Sequence, residues 1–149
     1  MKRVLVFVIL LLSACQPATP LLPITADLRT EFTLAPGQSA TINGTGLALT
    51  LVSVPGDQRC PLNIECAMSG PVSVSISVQN HSGTLQEFSL NSFTDNDGSV
   101  PSMDFEGMNT RVEFETFAIQ LKSVLPFPQN KIGEIKDSQY RVSFVIEEK

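Results

Sequence analysis

Apolar and polar side chains alternate at a period of two along much of this chain, most clearly over residues 71–79. There Val72, Val74, Ile76 and Val78 alternate with Ser73, Ser75 and Ser77, the pattern of a strand with one buried and one wet face. No helical stripe fits that spacing. Residues 140–147 repeat it, with Tyr140, Val142, Phe144 and Ile146 opposed to Arg141, Ser143, Val145 and Glu147. Residues 47–54 are apolar in part on both faces, which predicts a more central strand. Weaker strands are predicted over 29–34, 39–43 and 85–90. Between 110 and 124 the parity shifts: Val112 and Phe114 share one face, then Phe117, Ile119 and Leu121 take the other. A one-residue slip turns every side chain over, so the shift predicts a bulge or bend near Glu115-Thr116 that carries a strand from one sheet to another.

Turn chemistry separates these runs. Ala35-Pro36-Gly37, Asn43-Gly44-Thr45-Gly46 and His81-Ser82-Gly83 divide strands, while Asp95-Asn96-Asp97-Gly98 and Leu125-Pro126-Phe127-Pro128 open longer loops. The spacing predicts an all-β fold, an immunoglobulin-like antiparallel β-sandwich of about 7–8 strands. Nine Phe with many Val, Leu and Ile suffice for a core. Asp137 followed by Tyr140 resembles a tyrosine corner, with different spacing.

The amino terminus reads differently. Lys2 and Arg3 precede an apolar run from Val4 to Leu12, followed by Leu12-Ser13-Ala14-Cys15. A basic start, a short apolar segment and small residues before a cut site describe an export signal. The run is too short for a membrane-spanning helix, which needs about 20 apolar residues, and Gln16-Pro17 ends it. Ordinary cleavage after Ala14 would leave an unpaired terminal thiol. The tetrad resembles the lipobox of bacterial lipoproteins. The resemblance implies a signal peptide over residues 1–14, lipidation of Cys15 with fatty acyl chains such as palmitate, and residence in the cell envelope facing the periplasm or exterior. In a two-membrane host, Gln16 resembles the default sorting signal to the outer membrane. Two or more acyl chains hold stably where one does not. Residues 15–27 contain Pro17, Pro20 and Pro23 and are predicted to form a semi-rigid spacer. A single β domain is then expected over 28–149.

Without Lys2 and Arg3, eight of the ten basic residues remain against fifteen acidic ones, formally −7. That balance disfavours nucleic acid and electrostatic adhesion to anionic lipid, so the anchor alone would hold the chain to the membrane.

With Cys15 assigned to lipid, Cys60 and Cys66 are left in an oxidising compartment, where a nearby pair forms a disulfide. Five intervening residues with Pro61 match neither redox nor zinc spacing. The bond staples an interstrand loop. It would also stiffen a recognition loop presenting Asp57, Gln58, Arg59, Leu62, Asn63 and Ile64. These residues, with Gly37-Gln38-Ser39-Ala40, Cys66-Ala67-Met68-Ser69-Gly70 and Pro126-Phe127-Pro128, resemble a set of small uncharacterised bacterial lipoproteins that carry an Asp-x-Arg-Cys-Pro…Cys-x-Trp-x-Gly signature. Similarity runs over most of residues 32–146, and Met68 stands where the signature has Trp. The resemblance implies anchoring, the disulfide and a β fold, and no activity.

Candidates for chemistry are sparse. His81, the single histidine, sits in a turn, and no nucleophile frame accompanies it. Asp95-Asn96-Asp97-Gly98 suggests a calcium loop, yet Phe93 would hold the first ligand position and Asp104 the twelfth, where Glu is needed; Asp104 and Glu106 could assist loose binding. Met68, Met103 and Met108 with His81 could hold Cu(I), although isolated methionines more often fill core gaps. Glu113 and Glu115 share a wet face. The expectation is a non-enzymatic lipid-anchored module without a cofactor, which binds a protein partner or envelope component through its loops. An envelope metal-binding protein for copper or calcium, or a peptidase inhibitor without recognisable loop motifs, are the alternatives.

Overall fold

Local alternation becomes two stacked sheets in the computed structural model, which describes residues 21–149; the signal, Cys15 and the expected spacer up to residue 20 lie outside the described residues. The strands are β1 (Ile24–Ala26), β2 (Phe32–Leu34), β3 (Ser39–Ile42), β4 (Leu47–Asp57), β5 (Val72–Gln79), β6 (Leu85–Ser92), β7 (Arg111–Phe114), β8 (Phe117–Leu125) and β9 (Arg141–Glu148). One sheet has the order β1-β3-β4-β5-β6 and the other β2-β9-β8-β7. β4 is the middle strand of its sheet, as its two-sided apolar character requires. The inner faces share one core, in which Leu49, Leu51, Val74, Ile76, Leu121 and Phe144 are fully buried. Cross-sheet packing includes an edge-to-face pair of Phe88 on β6 and Phe114 on β7, 6.4 Å between centroids.

The all-β sandwich is therefore present, with finer features that the pattern did not supply. Strands β3 to β6 form a meander in one sheet, whereas immunoglobulin order distributes successive strands between sheets. The pair β1–β3 is parallel, because the chain crosses to the second sheet for β2 before returning for β3.

Two expectations need correction. Glu115-Thr116 is no sheet-to-sheet bend: β7 and β8 form an antiparallel hairpin within one sheet, with Phe114 opposite Phe117. A two-residue hairpin loop produces the same parity shift as a bulge, since the residues flanking it face each other. Glu115 adopts φ 53°, as such tight turns demand. The true register shifts fall in β4, around Ser53, and in β8, between Leu121 and Ser123. Finally, the folded region begins before residue 28. Ile24–Ala26 pairs with Ala40–Ile42, so the expected spacer is shorter by these residues.

Strand directions define two ends. At one end lie Leu21–Pro23 before β1, the 35–38 turn, the 58–71 loop after β4, the loop after β6 and the 126–140 loop. We call it the disulfide end. The opposite end holds the turns at 43–46, 80–84 and 115–116 and the final residues, and Asn80 Nδ2 donates to Glu115 Oε1 across it at 2.7 Å.

Candidate functional site

Strand β4 ends on Asp57, and the two residues that follow turn the chain inward instead of out to solvent. Arg59 is fully buried. A guanidinium in that position needs a counter-charge and partners for its N–H groups. Nε donates to Asp57 Oδ1 at 2.8 Å and Nη2 to Asp57 Oδ2 at 2.6 Å, a bidentate fork. Nη1 donates to the Val124 carbonyl at 2.7 Å and Nη2 also to the Pro126 carbonyl at 3.0 Å. The Phe127 ring lies 4.9 Å from the guanidinium carbon, within cation–π range. Arg59 thereby ties the end of β4 to the end of β8 and the loop beyond it.

Asp57 receives more than Arg59. The Tyr140 hydroxyl donates to Oδ2 at 2.9 Å and the Arg59 amide to Oδ1 at 3.2 Å. Burial alone would raise the Asp57 carboxyl, but the Arg59 hydrogen bonds and charge, its amide and the Tyr140 hydroxyl outweigh that and hold it below the usual aspartate range. Burial and the neighbouring carboxylate push the Tyr140 phenol well up, so it stays a donor. Tyr140 is thus no tyrosine corner: its hydroxyl crosses to β4. Its neighbour Asp137 does likewise, accepting the Val54 amide at 2.9 Å, a donor that the β4 irregularity removes from the sheet ladder.

The disulfide loop hangs on this clamp. Cys60 and Cys66 are bonded, with Cα atoms 6.0 Å apart, as the sequence led one to expect. The Leu62 amide donates to the Pro128 carbonyl at 3.1 Å and the Asn63 amide to that of Gln129 at 2.8 Å, joining the two loops edge to edge. Asn63 Nδ2 adds a bond to Asn130 Oδ1 at 3.0 Å. Glu134 closes the second loop by accepting the Gln129 and Asn130 amides. Gly70 seals the base: its amide donates to the Gln58 carbonyl at 2.9 Å, and a Cβ there would sit 2.6 Å from Gln58 Cβ. Only glycine permits so close an approach.

The expected recognition loop therefore splits in two. Asp57 and Arg59 are not presented to a partner; they are a buried ion pair, and the reading of them as contact residues is corrected. The physical reason is that Val124, Pro126 and Tyr140 supply their partners from distant sequence. Leu62, Asn63, Ile64 and Gln58 are exposed. Leu62 and Ile64 share this exposure with Met68 and Ile132 in the same two loops and with Leu21 and Leu22 before β1, on the side of the sandwich that we call the disulfide end. Met68 is 85 % exposed, so it fills no core gap. Between Met68 and Ile132 runs a groove of about 440 Å³, floored by Gly70, Pro71 and Phe93 and bordered by Gln58. Phe93 is braced by Phe105 edge to face at 5.4 Å. Sequence reasoning missed Phe93 and Ile132 as residues of this site, their apolar letters in loops being the available signal, whereas Leu21 and Leu22 already stood out as more apolar than a free linker needs.

The other candidates are not brought together. His81 packs beside Gly46 at the opposite end, the full length of β5 from Met68, so the soft His–Met set is not assembled. Asp97 accepts the Ser99 amide at 2.9 Å and the Gly98 amide bonds Asp95, which makes Asp95–Gly98 a turn built on its own side chain. Among the described residues, no three His, Cys, Asp or Glu side chains are grouped to hold a metal ion. Glu113 faces Lys149 at 2.9 Å, while Glu115 lies in the turn. Compared with protein-family models, curated proteins and solved structures, the chain matches none.

Proposed function

We propose that this protein is a lipid-anchored, non-enzymatic module of the cell envelope, whose disulfide end is a binding surface for a protein or other envelope component. The observation that carries the reading is the mounting of exposed Leu62, Ile64, Met68 and Ile132 on a stiff base. A loop that existed only to connect β4 to β5 would not need a buried ion pair, a disulfide and two backbone bonds to its neighbour. Rigid presentation lowers the ordering cost of binding, and exposed apolar groups gathered at one end mark interaction surfaces. The clustering of partnered charges supplies no general acid, base or nucleophile facing a cleft, since Asp57, Arg59 and Tyr140 satisfy one another.

Address and binding are tested separately. Mass spectrometry of the native chain is expected to find a diacylglyceryl group on Cys15, and an unmodified thiol there removes the anchor. A photo-reactive side chain replacing Ile64 is expected to form an adduct in the intact envelope, and one replacing Ser82 is not. Equal behaviour of the two positions would end the case for a binding face.

A further inference from the structure

We infer that the disulfide end lies apolar side down on the bilayer to which Cys15 is tethered, so that the envelope component bound by this surface is lipid. The inference rests on the proposed anchor, and two observations beyond it carry the step. The first is reach. Leu21 is six residues from Cys15, a span of at most about 21 Å even fully extended. Gln38 Nε2 holds the Leu22 carbonyl at 3.0 Å, and β1 runs from there into the sheet parallel to β3. The tether therefore leaves the domain at the disulfide end, and that end is kept near the lipid. The opposite end stands a strand length farther, about 23 Å along β9.

The second observation is how the two ends are finished. Leu21, Leu22, Leu62, Ile64, Met68 and Ile132 are all exposed at the near end, and Leu85 is the one exposed large hydrophobic at the far end among the described residues. There the turns present His81, Ser82, Glu115 and Thr116 to water. Leucine and isoleucine side chains on a rigid rim suit the boundary between headgroups and acyl chains, where binding grows with buried apolar area. Glu65, Glu134, Lys131 and Lys136 border the rim without a basic excess. Contact is accordingly apolar, independent of anionic lipid and insensitive to salt.

The full lipidated chain carrying an environment-sensitive fluorophore at Ile132→Cys, or separately at Ser82→Cys, is reconstituted in phosphatidylcholine vesicles with brominated acyl chains. For a rim buried about 5–10 Å into the interface, the label at 132 is expected to lose about half its emission, in low and high salt alike, and the label at 82 essentially none. A chain that floats with the vesicles while both labels remain unquenched keeps its anchor but overturns the docking. So does a label at 132 that is shielded from aqueous quencher yet untouched by bromine, the mark of a protein occupant. A chain that fails to float, with Cys15 unmodified, overturns the anchor and the docking together.

Discussion

Arg59 carries a permanent charge into the interior, and its consequences follow from which partner is removed. With Asp57 neutralised as Asp57→Asn, the guanidinium stays buried against two carbonyls and a ring with no counter-charge, an arrangement that costs about 3–5 kcal/mol. Tyr140→Phe removes one hydrogen bond to a charged acceptor, worth about 1.5–3 kcal/mol, and leaves the ion pair intact. Denaturant unfolding is expected to rank the variants in that order, with midpoints lowered and slopes unchanged. The acid limb gives an independent check. Asp57 is held below its ordinary range when folded, so its contribution is complete above the unfolded value near pH 3.9 and is lost as pH falls through the lower folded value. The gap between wild type and Asp57→Asn is therefore expected to narrow as pH falls below about 3.9; a constant gap would show that the carboxylate's charge is not what stabilises.

At the scale of elements, the 58–71 loop shows why a short sequence signature can specify a shape. Asp57 and Arg59 form the clamp, Cys60 and Cys66 the staple, and Gly70 the close approach to Gln58, whereas Met68 stands most exposed of the loop's large hydrophobic residues. Closing a seven-residue ring removes about 2 kcal/mol of unfolded-state entropy. Cys60→Ser with Cys66→Ser is expected to cost that amount in reversible unfolding without abolishing the fold, because the backbone bonds to Pro128 and Gln129 persist. Gly70→Ala, which forces a Cβ against Gln58, is expected to cost about 1–3 kcal/mol; a neutral substitution would show that the loop base is soft.

The same elements explain what could be read beforehand. β5 and β9 were legible because each buries one face and their polar residues fill the other. The 115–116 turn was legible only as a parity break, since a two-residue hairpin and a bulge leave the same trace in the letters. β1 was obscured by Pro17, Pro20 and Pro23 beside it and by being three residues long; its evidence is a pairing partner sixteen positions away. The burial of Asp57 and Arg59 was not legible at all. Charged letters between a strand and a loop read as surface, and the groups that complete their hydrogen bonding and cover them come from residues 124–140.

For the whole molecule, the question is whether proximity to the membrane comes from the rim or merely from a short tether, and the tether's length can be varied to decide. Inserting about twelve Gly/Ser residues after Ala18 adds a flexible segment with a root-mean-square span of about 20 Å. That leaves β1, Gln38 and the rim untouched. A domain held only by its leash would then drift, and a fluorophore at position 132 would lose contact with brominated chains in proportion to the added freedom. A domain held by its own apolar end keeps that contact, because the anchor still supplies a high local concentration of membrane and the buried area does the rest. Quenching at 132 is expected to persist in the lengthened chain and to fall when Ile64→Asn and Leu62→Asn are added. Loss of quenching on lengthening alone would assign the orientation to the tether and return the rim to a protein partner.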